Sequence, residues 1–127
     1  MSSIPKSQAN PQDLANVQEV KFQNEVGIAQ AKILLIGRMQ ITSDPGESVK
    51  ISSDVGVLDG ELYRIRAEYH AFMAEQSTLQ MPTPNEVQQA KDATRKLAGL
   101  VATSSTVTDI LKFTIEVLAT WNGGKKQ

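Results

Sequence analysis

"VGVLDGELYRIRAEYHAFMAEQSTL", residues 55–79, decides the fold class. Val55, Leu58, Leu62, Ile65, Tyr69, Phe72, Gln76 and Leu79 step by 3, 4, 3, 4, 3, 4 and 3. That rhythm is a heptad-like seam along one face of an α-helix, with one polar position. Glu61, Arg64, Arg66 and Glu68 fall on the other faces, as a packed amphipathic helix requires. Gly56 and Gly60 lie off the seam and weaken the first turns, so the firm helix is expected from near Asp59, with Ser53 as a candidate cap. The preceding "SDPGES", 43–48, is turn chemistry, and residues 43–53 read as a loop. "SVKIS" alternates enough for a brief strand, but a lone strand has no partner there.

Upstream, "NPQDLANVQ" opens another helix. Asn10 is a strong N-cap, Pro11 takes the first helical position, and Asp13 places negative charge in the positive first turn. Leu14, Phe22, Val26, Ala29, Ile33 and Ile36 draw one apolar stripe, and Ile28, Ala31, Leu35 and Met39 draw a second beside it. The later half is therefore expected to be buried on more than one side. Gly27 and Gly37 each cost about 1 kcal/mol against Ala in a helix interior, and Gly37 is expected to mark a bend or an early end. Residues 1–9, mostly Ser, Gln, Pro and Lys, read as a mobile tail.

Downstream, "MPTPN", 81–85, breaks the second helix, and Thr83-Pro84-Asn85-Glu86 starts the next as a capping box. Val87, Ala90, Thr94, Leu97 and Val101 follow at helical spacing. "ATSSTVTD" interrupts this pattern, and Thr106 with Asp109 signals a fourth start, ahead of a stripe of Val107, Ile110, Leu111, Val117, Leu118 and Trp121. A heptad register also runs unbroken from 87 to 118, so residues 87–121 form either two helices or one. "WNGG" ends the pattern. The expected fold is all-α: a helical bundle or long helical hairpins of three to four helices. One helical domain spans 10–122, between a disordered N-terminal tail of residues 1–9 and a flexible end at 123–127.

Composition narrows the function. Hydrophobic residues make up 40% and charged ones 21% of the 127 residues, a globular balance. The formal net charge is −1 with Lys and Arg scattered, so no basic face for nucleic acid is expected. The longest apolar run, "AKILLIG" at 31–37, is far below the roughly 20 residues of a membrane span. No cysteine is present, which excludes disulfides, thiolate metal sites and Cys nucleophiles. The start carries no apolar signal-peptide core, so the expected location is the cytoplasm, or export by a non-Sec route.

The chemistry-bearing residues are sparse. His70 is the one histidine, a single step off the apolar seam, and one His without Cys cannot fill a structural zinc site. Asp54, Asp59 and Glu61 lack the alternating spacing and terminal Glu of a calcium loop. "GVLDG" lacks the Lys and Ser/Thr of a phosphate loop. No enzyme activity, cofactor or metal is expected. The remaining signal is apolar surface: Ile28, Leu35 and Met39 on the first helix, and Leu58, Leu62, Ile65, Tyr69 and Phe72 on the second. These faces either close on each other as a core, or are completed by a protein partner or by self-association.

"NPQDLANVQEVKFQNEVGIAQAKIL", 10–34, resembles the segment that opens the C-terminal helix of needle and inner-rod subunits of bacterial type III secretion systems. The resemblance rests on Asn10, Pro11, Leu14, Gln18, Ile28 and Ile33, and covers 25 of the 127 residues. It implies a helix that polymerises. The expected function is a helical interaction or assembly protein: an accessory, chaperone or structural component of a bacterial secretion or phage-like injection system. The alternative is a small inhibitor, an immunity or anti-defence protein that blocks an enzyme.

Overall fold

A computed structural model describes residues 3–121. A short strand β1 (Ser3–Pro5) and a 3₁₀ turn (Lys6–Gln8) precede α1 (Pro11–Ile41) and α2 (Pro45–Met73). Strand β2 (Thr78–Gln80), α3 (Pro84–Ala98) and α4 (Val107–Leu118) complete the chain. With 31 and 29 residues, α1 and α2 are each roughly 45 Å long. The helices pack together as a bundle with α1 at its centre, against α2, α3 and α4, while α3 and α4 pair with each other.

Every helix starts on a side-chain cap, and three of them on a following proline. Asn10 Oδ1 accepts the Asp13 N–H at 2.7 Å, and the Asp13 carboxylate accepts the Asn10 N–H at 3.1 Å. Asp13 therefore closes a reciprocal capping box, beyond favouring the helix dipole. Thr83 and Glu86 repeat the device at 3.1 and 2.9 Å. Thr106 Oγ1 accepts the Asp109 N–H at 3.0 Å.

Residues 43–53, expected as a loop, belong mostly to α2. Asp44 Oδ1 accepts the Gly46 N–H at 2.9 Å, and Pro45 takes the first helical position. The Asp-Pro-Gly triplet is thus a cap followed by a helix start, not a reverse turn. The earlier start brings Ile51 into line with Leu58, Ile65 and Phe72, the four buried residues of α2, one per heptad. Gly56 and Gly60 face open space, with nothing within 4 Å of an added Cβ, so they cost helix propensity and no packing.

Gly37 does not end α1, which continues to Ile41. It gives room instead: a Cβ there would stand 3.0 Å from the Ala102 methyl. Gly27 does the same for α4, where a Cβ would stand 3.1 Å from a Val117 methyl.

Residues 3–8, expected as part of a mobile tail, form β1 and the 3₁₀ turn. β1 pairs antiparallel with β2, Ser3 opposite Gln80, Ile4 opposite Leu79 and Pro5 opposite Thr78, and Leu79 is buried. Residues 1–2 and 122–127, which include the expected C-terminal flexible end, lie outside the described residues. Residues 87–121 form two helices and not one. Between them Ser105 is buried and clasps Val101 twice, its N–H donating to the Val101 carbonyl at 2.8 Å and its Oγ accepting the Val101 N–H at 3.2 Å. The Ser/Thr patch supplies a closed turn that folds α4 back on α3.

The core is aliphatic, with Phe72 and Trp121 as its buried aromatics. Trp121 Nε1 donates to Glu68 Oε1 at 2.8 Å, which ties the end of α4 to α2. A polar string crosses the interior beside α1. Asn24 Nδ2 donates to the Val20 carbonyl and to Thr120 Oγ1, at 2.9 and 3.1 Å. Buried Thr94 and Thr114 each donate to the carbonyl four residues back.

Candidate functional site

The apolar residues singled out from the sequence divide between the core and its margin. Ile28, Leu35, Leu58, Ile65 and Phe72 are buried, and Met39, Leu62 and Tyr69 are half-buried and packed against them. These faces of α1 and α2 close on each other within one chain.

The stripe beside it is the one left facing outward. Phe22 is 57% exposed, Ile33 71% and Ile36 38%, with Ala29 exposed and Val26 half-buried. Phe22, Val26, Ala29, Ile33 and Ile36 step by 4, 3, 4 and 3, the spacing of a coiled-coil seam, and form a ridge roughly 21 Å long. Both α1 stripes are apolar, and composition alone favours burying this one, which holds Phe and two Ile. Backbone approach decides the opposite. Gly27 and Ala31 lie on the other side, where the missing side chain of Gly27 admits Val117 of α4.

Clefts flank the ridge on both sides. One, of about 300 Å³, is lined by Ile28, Ala29, Ile33 and Ile36 of α1 and Leu62 of α2, with Glu25, Lys32 and Arg66 adding charge. The other, of about 220 Å³, lies toward α3 and is lined by Gln30, Ile33, Leu34, Leu97, Ala98 and Leu100. Ile33 belongs to both, so it stands between two open grooves.

The α2 flank of the ridge is charged and ordered by ion pairs. Arg66 Nε meets Glu25 Oε2 at 2.6 Å, Lys21 meets Glu25 Oε1 at 3.2 Å, and Lys32 pairs with Asp59. Burial favours the neutral form of Glu25, but the hydrogen bonds from Arg66 and Lys21 outweigh it and hold the carboxyl below its ordinary 4.5. On the α3 flank Gln23 and Gln30 stand beside the ridge, and Gln23 Nε2 donates to Glu19 Oε2 at 2.9 Å.

The other candidate chemistry is dispersed. His70 is exposed, its ring edge-on to Tyr69 at 5.7 Å. Asp54 pairs with Lys50, Asp59 with Lys32 and Glu61 with Arg64, so the three acids considered for calcium each hold a cation of their own. Among the described residues, no three His, Cys, Asp or Glu side chains come together to hold a metal ion. No helix of the described residues is long and apolar enough to cross a membrane. Comparison with protein-family models, with curated proteins and with solved structures finds no match to this chain.

Proposed function

We propose that this is a non-enzymatic helical interaction or assembly protein that works through the α1 ridge, as a component or accessory of a bacterial secretion or injection apparatus. The observation that carries the reading is the ridge itself: five apolar residues at heptad spacing on the central helix, turned outward from a core already closed by other residues. Fully burying one such Phe or Ile contributes about 1.5–3 kcal/mol, so a facing helix has a substantial gain available. The secretion setting is supported by the resemblance of residues 10–34 to needle and rod subunits, since that segment contains most of the ridge.

A photo-crosslinking amino acid at position 33, compared with one at Val57, tests the reading in cells. Val57 is also exposed but lies on α2, away from the ridge. The expected result is a discrete crosslinked product from position 33 alone, lost when Phe22→Asp is added. Equal labelling from both positions, or none from position 33, refutes it.

A further inference from the structure

We infer that the occupant of the ridge is a second copy of this chain, its α1 lying antiparallel to the first across a two-fold axis. The inference rests on the ridge being an interface, and it adds the identity and direction of what covers it. In coiled-coil terms, Phe22, Ala29 and Ile36 are d positions and Val26 and Ile33 are a positions. The flanking g positions are then Glu25 and Lys32, on the α2 side, and the e positions are Gln23 and Gln30, on the α3 side.

These flanks distinguish the ways two copies can meet. In a parallel pair, g faces e, and both charges meet uncharged residues of the α3 flank. In an antiparallel pair, g faces g and e faces e. Glu25 then meets Lys32 of the second copy, Lys32 meets its Glu25, and the glutamines meet each other. The intramolecular partners extend the match, because Arg66 lies beyond Glu25 and Asp59 beyond Lys32. Glu25, flanked by Arg66 and Lys21, is thereby presented with the Lys32–Asp59 pair of the second copy. Four of the five ridge residues form apolar layers on the same axis, Phe22 against Ile33 and Val26 against Ala29, each occurring twice, with the small Ala29 letting the helices approach closely, while Ile36 falls opposite Glu19 at the end of the contact. Such a contact is isologous and closes as a dimer.

Sedimentation velocity on the full chain, from about 1 to about 300 µM, tests the stoichiometry. The expected result is a concentration-dependent shift from 13.8 kDa to twice that mass, with Ile33→Asp raising the dissociation constant at least about 100-fold. Ile33 is exposed, so the variant should melt like the wild type, and Phe22→Asp provides an independent second disruption. Orientation is read separately: the chain has no cysteine, so a spin label on Gln18→Cys is unique. The antiparallel arrangement puts the two labels about 30 Å apart, and a parallel one about 10 Å.

A monomer at every concentration overturns the inference. It leaves the proposed function standing if position 33 still crosslinks to a different protein. A dimer indifferent to both ridge substitutions, or labels at the short distance, overturns it too.

Discussion

Truncating Ile65 and Ile33 to alanine tests the assignment of core and surface with the same chemical change at two sites. Ile65 is fully buried on α2 and belongs to the hydrophobic core, whereas Ile33 is 71% exposed. Ile65→Ala removes the burial of three carbons' worth of side chain and leaves a cavity that the neighbouring helices refill only in part. Such losses cost about 2–5 kcal/mol. Against a total stability of about 5–15 kcal/mol that is a large fraction, and with a urea slope of about 2 kcal/mol per molar it lowers the midpoint by roughly 1–2.5 M. Ile33→Ala, measured on dilute protein, should stay within about 0.5 kcal/mol of the wild type. Urea unfolding followed by far-UV circular dichroism and by Trp121 fluorescence provides two probes of one transition. If Ile33→Ala costs as much as Ile65→Ala, or if Ile65→Ala costs less than about 0.5 kcal/mol, the division between core seam and outward ridge is wrong.

Three further outcomes follow from individual contacts. Gly27→Val drives new methyls into Val117, whose Cγ1 lies 3.1 Å from the position of an added Cβ. It should cost about 1–3 kcal/mol, and Val117→Ala should recover part of that loss in a double-mutant cycle by urea unfolding. Thr83→Ala removes the acceptor for the Glu86 N–H and should cost about 1 kcal/mol, read as a lower midpoint with an unchanged slope. Glu25 has a folded pKa below its ordinary 4.5, so its ion pairs stabilise the fold above that value, and the contribution is lost as pH falls through the folded pKa. Between about pH 7 and about pH 3, the wild type should therefore lose more stability than Glu25→Gln; an equal loss refutes the role given to Arg66 and Lys21.

The all-α class was legible because the α2 seam and the helix caps are local signals. Leu58, Ile65 and Phe72 announce a helix face whatever else the chain does, and Asn10-Pro11 and Thr83-Pro84 announce two starts. Asp44-Pro45-Gly46 was not legible for the same reason of locality: the triplet serves a turn or a cap equally well, and only Ile51 meeting the core selects the helix. On α1 two neighbouring stripes satisfy the same periodicity. Which one turns inward depends on Val117, ninety residues downstream, fitting against Gly27. No pattern within α1 contains that information, so the sequence pointed to the face that became core. The ribbon of β1 and β2 is a similar case, since three residues at each end of a long separation carry no strand signal of their own.

That ribbon also sets an order of events. Ile4 and Leu79 are partners across more than seventy residues, and closing so long a loop in a free chain costs several kcal/mol, far more than two short strands return. Once α1 and α2 have packed as a hairpin, the span has already been closed, and the strands meet at little further expense. Backbone amide protection at β1 and β2 is therefore expected to arrive only after the helical hairpin. Hydrogen exchange at this one position becomes a clock hand for the far larger element behind it.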